Sequence, residues 1–500
     1  MLRITVASAN GMLTPTIDKP LATWSVDQVA HVVTLSAGQN LGRATLTIAD
    51  ASGQSVSVPV RVGLDAGTIP AQSLSMQFTG NPVDPPWLQR TVQQILLRNV
   101  RLQSGAAVQT SFNAPPALAP GSIGALDAQV QITGSDQYYP VSAVVNVNLQ
   151  NVRTESFAPP LLFYDDDPEH ISAEGVLYRG QISASTPVRL YYYHDNSGQP
   201  RDLVVAFWAP AGSATIQLVD ASAGPNIDVM TVGHIVTRDF LTQKPGNEGV
   251  IVTVDAQSPY VAERVPLPHL AGAAGTVDVR VLSGGPVNVT VLSAAPGTPD
   301  ESLPSLLAQA KLPGDGHHRT GVFNIADHAH DSLPYTVGGQ DALLDYGLQS
   351  PRVIEPPEGR DFGQYGVWRT IDFAVSNPTG QSATIYLYEQ PMGGPVRSSF
   401  LINGGPSPIE VNCVRLSQHY QIGPPITVAP GASRIELQTM TDGGSNYPLE
   451  VGLTATPPLP SPPPITAPDG CFPKAQPSPL PAVSPSPVPE PTGRAYHRAK

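Results

Sequence analysis

Charge is scarce in this 500-residue chain: Asp, Glu, Lys and Arg together make up 13% of it, about half the share of an ordinary globular protein. What charge there is leans acidic, 27 basic against 40 acidic side chains, for a net −13. Such a field repels nucleic acid and anionic lipid, and no basic stripe reverses it locally, so nucleic-acid partners are not expected. Cysteine is almost absent. Cys413 and Cys471 are the only two, too few for a metal-binding quartet or a disulfide scaffold. In an oxidising compartment they can form one bridge tying the C-terminal tail to the last domain; two unpaired thiols are the alternative. No run of 18 apolar residues occurs, so no membrane-spanning helix is expected. The opening MLRITVASANGMLTPTIDKP lacks the charged head and continuous apolar core of a secretory signal. The recurrent catalytic signatures are missing as well: there is no GxSxG elbow, HExxH, Walker loop or GxGxxG.

Glycine and proline, by contrast, are abundant, at 45 and 55 residues, as many short strands joined by turns require. Segments such as 43–50, 54–62, 125–134, 142–150, 276–282, 287–294 and 434–440 alternate apolar and polar residues, and are rich in Val, Thr, Ile and Tyr. That is the period of half-buried strands. The chain is therefore expected to be mainly β, as tandem sandwiches, and its length calls for about three or four domains. One stretch breaks the pattern. In 84–100, Asp84 can cap and Pro85 can open a helix on which Leu88, Val92, Ile95 and Leu96 recur at helical spacing. A shorter helical stretch is expected at 301–312.

The boundaries read as a β module at 1–63, a helix-containing domain at 65–155, sandwiches at 157–297 and 316–457 with a linker at 298–315, and a disordered tail at 458–500. The two sandwiches read as copies. Residues 202–220 align with 370–389 through a Pro-x-Gly turn and an identical SATI, and 276–296 parallel 434–457, each with a Gly-Gly turn. The tail follows from fifteen prolines between Pro457 and Pro491, which remove ladder donors and favour polyproline II. Its VPEP and basic end resemble a PEP-type sorting signal, but the hydrophobic span between those parts is missing.

Trp24-Ser25, Gly42 to Thr47 and Val58 to Val62 resemble the later strands of a bacterial Ig-like module. That resemblance covers about an eighth of the chain and implies an envelope or secreted protein whose opening strands are shortened. A start upstream of Met1, carrying a leader, would account for the shortening and for the missing signal peptide.

Four constellations could carry chemistry, of which one, GQYGVW at 363–368 with GGSNYP at 443–448, mixes Gly with Tyr as tight turns beside strands do and reads as turns. In YDDDPEH, Asp165, Asp167 and Glu169 alternate and could converge as oxygen ligands for calcium, the one cofactor considered; the bland account is an acidic linker. His328 and His330, two apart, could point one way from a strand as zinc ligands do, or sit in a polar turn. Tyr191 and Tyr193 share a face and could stack on sugar rings, or be core. The reading is a non-catalytic modular binding or structural protein, extracytoplasmic, with a protein or glycan ligand at the cell surface. A glycan-binding or glycan-active accessory protein is one alternative, and a virion-type assembly protein another.

Overall fold

The computed structural model describes residues 2–317, 319–415 and 418–462. The protein is mainly β and built from sandwiches. Two three-stranded sheets form the first one. Leu2–Thr5, Val32–Ala37 and Ala22–Asp27 face Thr14–Ile17, Gly42–Ala49 and Ser55–Val62. Val33, Leu35, Leu46 and Ile48 are buried between them. The opening strands are short, four residues each.

The remaining folded chain holds two nine-stranded sandwiches of one topology. The first uses β1 (Leu161–Asp166), β2 (Gly175–Ile182), β3 (Val188–Asn196), β4 (Arg201–Trp208), β5 (Ser213–Asn226), β6 (Gly249–Asp255), β7 (Tyr260–Leu267), β8 (Gly272–Gly284) and β9 (Val287–Ala294). The second uses β10 (His330–Thr336), β11 (Ala342–Tyr346), β12 (Arg369–Asn377), β13 (Ala383–Pro391), β14 (Val396–Ile402), β15 (Ile409–Val414), β16 (Tyr420–Val428), β17 (Gly431–Met440) and β18 (Leu449–Thr454). Sheet orders β1-β3-β8-β5-β6 and β2-β9-β4-β7 in the first recur as β10-β12-β17-β14-β15 and β11-β18-β13-β16 in the second. Even the parallel pair repeats, β1 with β3 and β10 with β12.

The duplication is thus in the strand order, but one of the two sequence matches is displaced. Segments 276–296 and 434–457 are equivalent, as β8-β9 and β17-β18. Segments 202–220 and 370–389 are not: β4 corresponds to β13, whereas 370–377 belongs to β12, the counterpart of β3. The shared SATI marks two strands that both leave a Pro-x-Gly turn, a local likeness that does not fix register.

The domain boundaries also differ from those read in the sequence. Ser73–Thr79 pairs antiparallel with β6, and Val141–Asn151, Ile123–Thr133 and Ala107–Ser111 extend the same sheet outward. Residues 65–155 therefore share the first sandwich's sheet and core, with Phe78, Trp87 and Leu88 packed in one cluster with Val205 and Ile216. The expected helix is there as α1 (Pro85–Arg98), its first turn capped by Asp84, which accepts from the Trp87 amide at 3.2 Å. On the other edge, Arg319–Asn324 pairs with β1 and covers it, so the second sandwich begins at His330 and not at 316. The linker is packed rather than free: Leu303 and Leu307, in a short helix at Leu303–Leu307, are buried beside Val176 and Val204. Of the tail, Leu459 bridges to Tyr420, and residues 463–500 lie outside the described residues, Cys471 among them. Cys413 is disulfide-bonded.

A second long helix, α2 (Val229–Gln243), was not expected from the sequence. It follows β5 and is wedged between sandwiches. Val232 and Val236 meet Tyr191 and Tyr193 of β3, while Phe240 and Leu241 meet Leu401 and Met440 of the second sandwich. Because both sides are covered, its apolar residues do not fall on one stripe, which hides the helical period.

Candidate functional site

Strand parity builds the site. In β1, Leu162, Tyr164 and Asp166 point to the face that α2 and the second sandwich cover, as do Tyr191 and Tyr193 of the adjacent β3. Asp165 and His194 point the other way. At the end of this face a cleft of about 360 Å³ opens between the two sandwiches. One wall carries Tyr164, Asp166, Glu169, Tyr191 and Tyr193; the facing wall carries Phe362, Tyr365, Gly444 and Ser445, with Arg319 also lining the cavity. The tyrosines brace one another: Tyr164 stacks on Tyr191 with centroids 5.6 Å apart, and Tyr191 meets Tyr365 at 6.1 Å. Tyr365 is fixed within the facing wall by its hydroxyl, which donates to Ser445 O at 2.7 Å.

The cleft is acidic on one side. Tyr164 donates its hydroxyl to Asp166 Oδ2 at 3.1 Å, while Asp166 Oδ1 has no partner. Burial, with Glu169, Asp165 and Asp315 nearby, pushes the Asp166 carboxyl well above the usual range. Arg319 lies over the Phe362 ring at 5.2 Å from its centroid, the cation facing the ring's negative π cloud. Behind the cleft, Asp361 is fully buried. Its Oδ1 accepts from the Tyr365 amide at 2.9 Å, its Oδ2 has no partner, and burial pushes the carboxyl up to about 8.

Asp361 gives a pH prediction. Its proton is held in the folded protein up to about 8 but is released near 3.8 on unfolding. The unfolded state therefore gains on the folded one as pH rises through that window, and the loss levels off above it. Asp361→Asn keeps the acceptor and removes the charge. The variant is expected to melt progressively higher than the parent from pH 5 to pH 8.5; a difference independent of pH would contradict this.

The sites read from the sequence fare unevenly. Asp165, Asp167 and Glu169 do not converge, because the strand reaches Asp166 and the loop then turns. Asp165 is buried and bound by His194 Nε2 at 3.0 Å. Burial opposes a charge on His194, but Asp165 outweighs it and raises the imidazole's pKa. Asp167 folds back to accept from the Asp315 amide at 2.7 Å. Glu169 instead gathers with His170 and Asp195, their donor atoms within 4.8 Å of one another, and His170 Nδ1 is 2.7 Å from Asp195 Oδ1. The loop thus does not form the expected calcium cage. His328 and His330 separate as well: the first ends a turn of 3-10 helix at 3.2 Å from Gln364 Nε2, and the second opens β10 at 3.0 Å from Asp372. Tyr191 and Tyr193 do share a face, but it is not a free surface. They are 4% and 6% exposed, covered by α2 and the second sandwich. Missed were Phe362, and Tyr164 and Asp166, whose parity follows from carrying β1 two residues further; Tyr365, Gly444 and Ser445 lie in the two Gly-Tyr segments read as turns, which the fold brings together on one wall.

No family model matches the chain and no curated protein matches it, so the Ig-like resemblance of residues 1–63 stands on its motifs alone. Among solved structures, tripeptidyl peptidase 2 is similar at 10% identity and TM-score 0.14, over 90% of this chain and 34% of its own; the present chain spans about a third of its length. The N-terminal CBM22-1–CBM22-2 tandem domain of Paenibacillus barcinonensis Xyn10C is similar at 11% identity and TM-score 0.13, over 71% of this chain and 92% of its own. The Bacteroides ovatus mixed-linkage glucan utilization locus SGBP-B, in complex with a mixed-linkage heptasaccharide, is similar at 10% identity and TM-score 0.10, over 57% and 69%. Likenesses this distant leave the function to be argued from the cleft itself.

Proposed function

We propose that this is a non-catalytic, extracytoplasmic binding protein of the bacterial envelope or secreted fraction, and that the cleft between its duplicated sandwiches holds a glycan segment. The observation that carries the reading is a cavity with braced tyrosines and carboxylates on one wall and a half-exposed phenylalanine on the other. Aromatic faces take the apolar side of a sugar ring and carboxylates accept from its hydroxyls. Binding rather than hydrolysis is favoured because the two lining carboxylates, Asp166 and Glu169, lie three residues apart on the same wall. Glycoside hydrolysis needs carboxyl groups flanking the scissile bond, and among the described lining residues the facing wall offers none. The disulfide at Cys413 supports placement outside a reducing cytosol.

The test is calorimetric titration of a glycan panel against the full chain and against Phe362→Ala. Phe362 is half exposed at the cleft, so its loss is expected to weaken binding roughly tenfold, about 1.4 kcal/mol, and to leave the melting temperature unchanged. Silence across the panel, or equal affinity in the variant, would remove the proposal.

A further inference from the structure

A second cavity lies in the first sandwich, away from the cleft, and its wall breaks the pattern of the core beside it. On β5, Ile216 and Leu218 point between the sheets into the core, and Asp220 takes the next position on that face. On β7, Val265 and Leu267 point inward from the other sheet. Glu263 is next on their face, where the pairing with β4 shifts register at Ala262. Two carboxylates thus stand where the strand period calls for apolar side chains, and both line a cavity of about 200 Å³. One face of α1 closes it with Thr91, Ile95 and Arg98, and α2 brings Gln243. Among the described residues neither carboxylate forms an ion pair: Arg98 attracts both from a distance, and Ser222 donates its hydroxyl to Glu263. The Arg98 guanidinium is turned instead to Tyr260, whose hydroxyl it reaches at 2.9 Å, and to Ala262 O at 2.7 Å. Gln243 is an independent sign of a missing partner. It is 8% exposed, and its side-chain carbonyl oxygen Oε1 has no hydrogen bond, a condition that native interiors leave to few polar atoms.

We propose that this cavity binds a small primary amine, its ammonium held by the Asp220 and Glu263 carboxylates and the Gln243 carbonyl. Three acceptors match the three N–H donors of an ammonium, and charge-assisted bonds to two carboxylates offset its lost hydration. The space is smaller than the roughly 300 Å³ at which sites for drug-sized ligands begin, so the ligand is a small one. Ile95 and Val250 in the wall give apolar contact to a carbon chain, which a bare metal ion does not use. The remaining charges do not fill the role. Asp239 is paired with Arg238 at 2.8 Å, and Arg90 is exposed, where water and salt screen it. In the empty cavity burial pushes the Glu263 carboxyl up to about 7 and raises Asp220 as well, in keeping with carboxylates that lack a counter-cation.

The experiment is calorimetric titration of the full-length protein with putrescine and with glucosamine, each beside its hydroxyl counterpart, butanediol and glucose. Expected is binding of at least one amine and not of its counterpart; which amine binds tells a linear amine from an amino sugar. Glu263→Gln should weaken that binding at least tenfold, and Asp167→Asn, in the acidic loop, should leave it intact. Should Glu263→Gln fail to fold, Asp220→Asn carries the comparison. Silence of both amines at millimolar concentration, or an affinity that survives in Glu263→Gln or, in its stead, Asp220→Asn, overturns the proposal. Displacement of the amine by calcium would assign the carboxylates to a metal ion and overturn it as well.

Discussion

Arg189→Ala is expected to cost about 3 kcal/mol of stability, read as a fall in the urea midpoint with an unchanged slope. Arg189 and Asp278 sit opposite each other on β3 and β8, both buried, and their contact is two-pronged: Nε to Oδ1 at 2.6 Å and Nη2 to Oδ2 at 3.0 Å. Lys244 adds a third contact, 2.6 Å from Oδ2. Burial works against ionisation of Asp278, but Arg189 and Lys244 outweigh it and hold its carboxyl below the usual range. Removing the guanidinium leaves Lys244 alone to balance a buried carboxylate and strips the Gly366 carbonyl of its donor, which lies 3.0 Å away. Breaking a buried pair costs more than the pair contributes, because the surviving charge is stranded. Asp278→Asn in the Arg189→Ala background should therefore recover part of the loss. Strictly additive losses would deny the coupling.

That ion pair shows what could be read from the sequence and what could not. The strand period was legible in β8, and so were α1 with its Asp84 cap and Pro85, because each is a short-range pattern. That β3 is buried on both faces was not. VRLYYYHDN alternates nothing, and a continuous run of this kind is as consistent with a covered strand as with an aromatic surface. The covering layer is α2, whose own signal was spread round the helix by the same double burial. The cleft inherits the difficulty. Tyr191 and Tyr193 could be picked out, and Asp166 was within reach once β1 was extended, but Phe362, Tyr365 and Ser445 arrive from about 170 to 280 residues away along the chain, by contacts that no local period records. Duplication was detectable through β8-β9 and β17-β18, where each copy carries a Gly-Gly pair between two strands that cross from one sheet to the other. It was misplaced at β4-β5, where only a turn and four residues agreed.

The junction itself gives the other large effect. Gly233 of α2 lies against the loop after β17 so closely that an added Cβ would stand 2.1 Å from Gly443 O and 2.3 Å from its Cα. Behind Gly443, a Cβ would in turn meet the Tyr191 hydroxyl at 2.6 Å, so neither layer can give way. The same contact is held by His234 between Asp442 and Glu410, and by Thr237, which donates to Thr441 O at 3.2 Å. Burial opposes a charge on His234, yet the two carboxylates outweigh it and raise its pKa to about 9, so the helix presents a cation to an acidic socket at neutral pH. Gly233→Val forces backbone apart from backbone, where no rotamer change relieves the overlap, and is expected to cost about 3 kcal/mol. The loss falls on docking and not on either core. Scanning calorimetry should therefore show one transition becoming two, and glycan affinity should fall at least tenfold as Gly444 and Ser445 leave the cleft wall. Gly285→Ala is the control, since a Cβ there meets nothing closer than Ala211 O at 3.8 Å. A single transition at the parent's temperature in Gly233→Val would mean that α2 does not couple the sandwiches, and that the cleft is not held in shape by the helix.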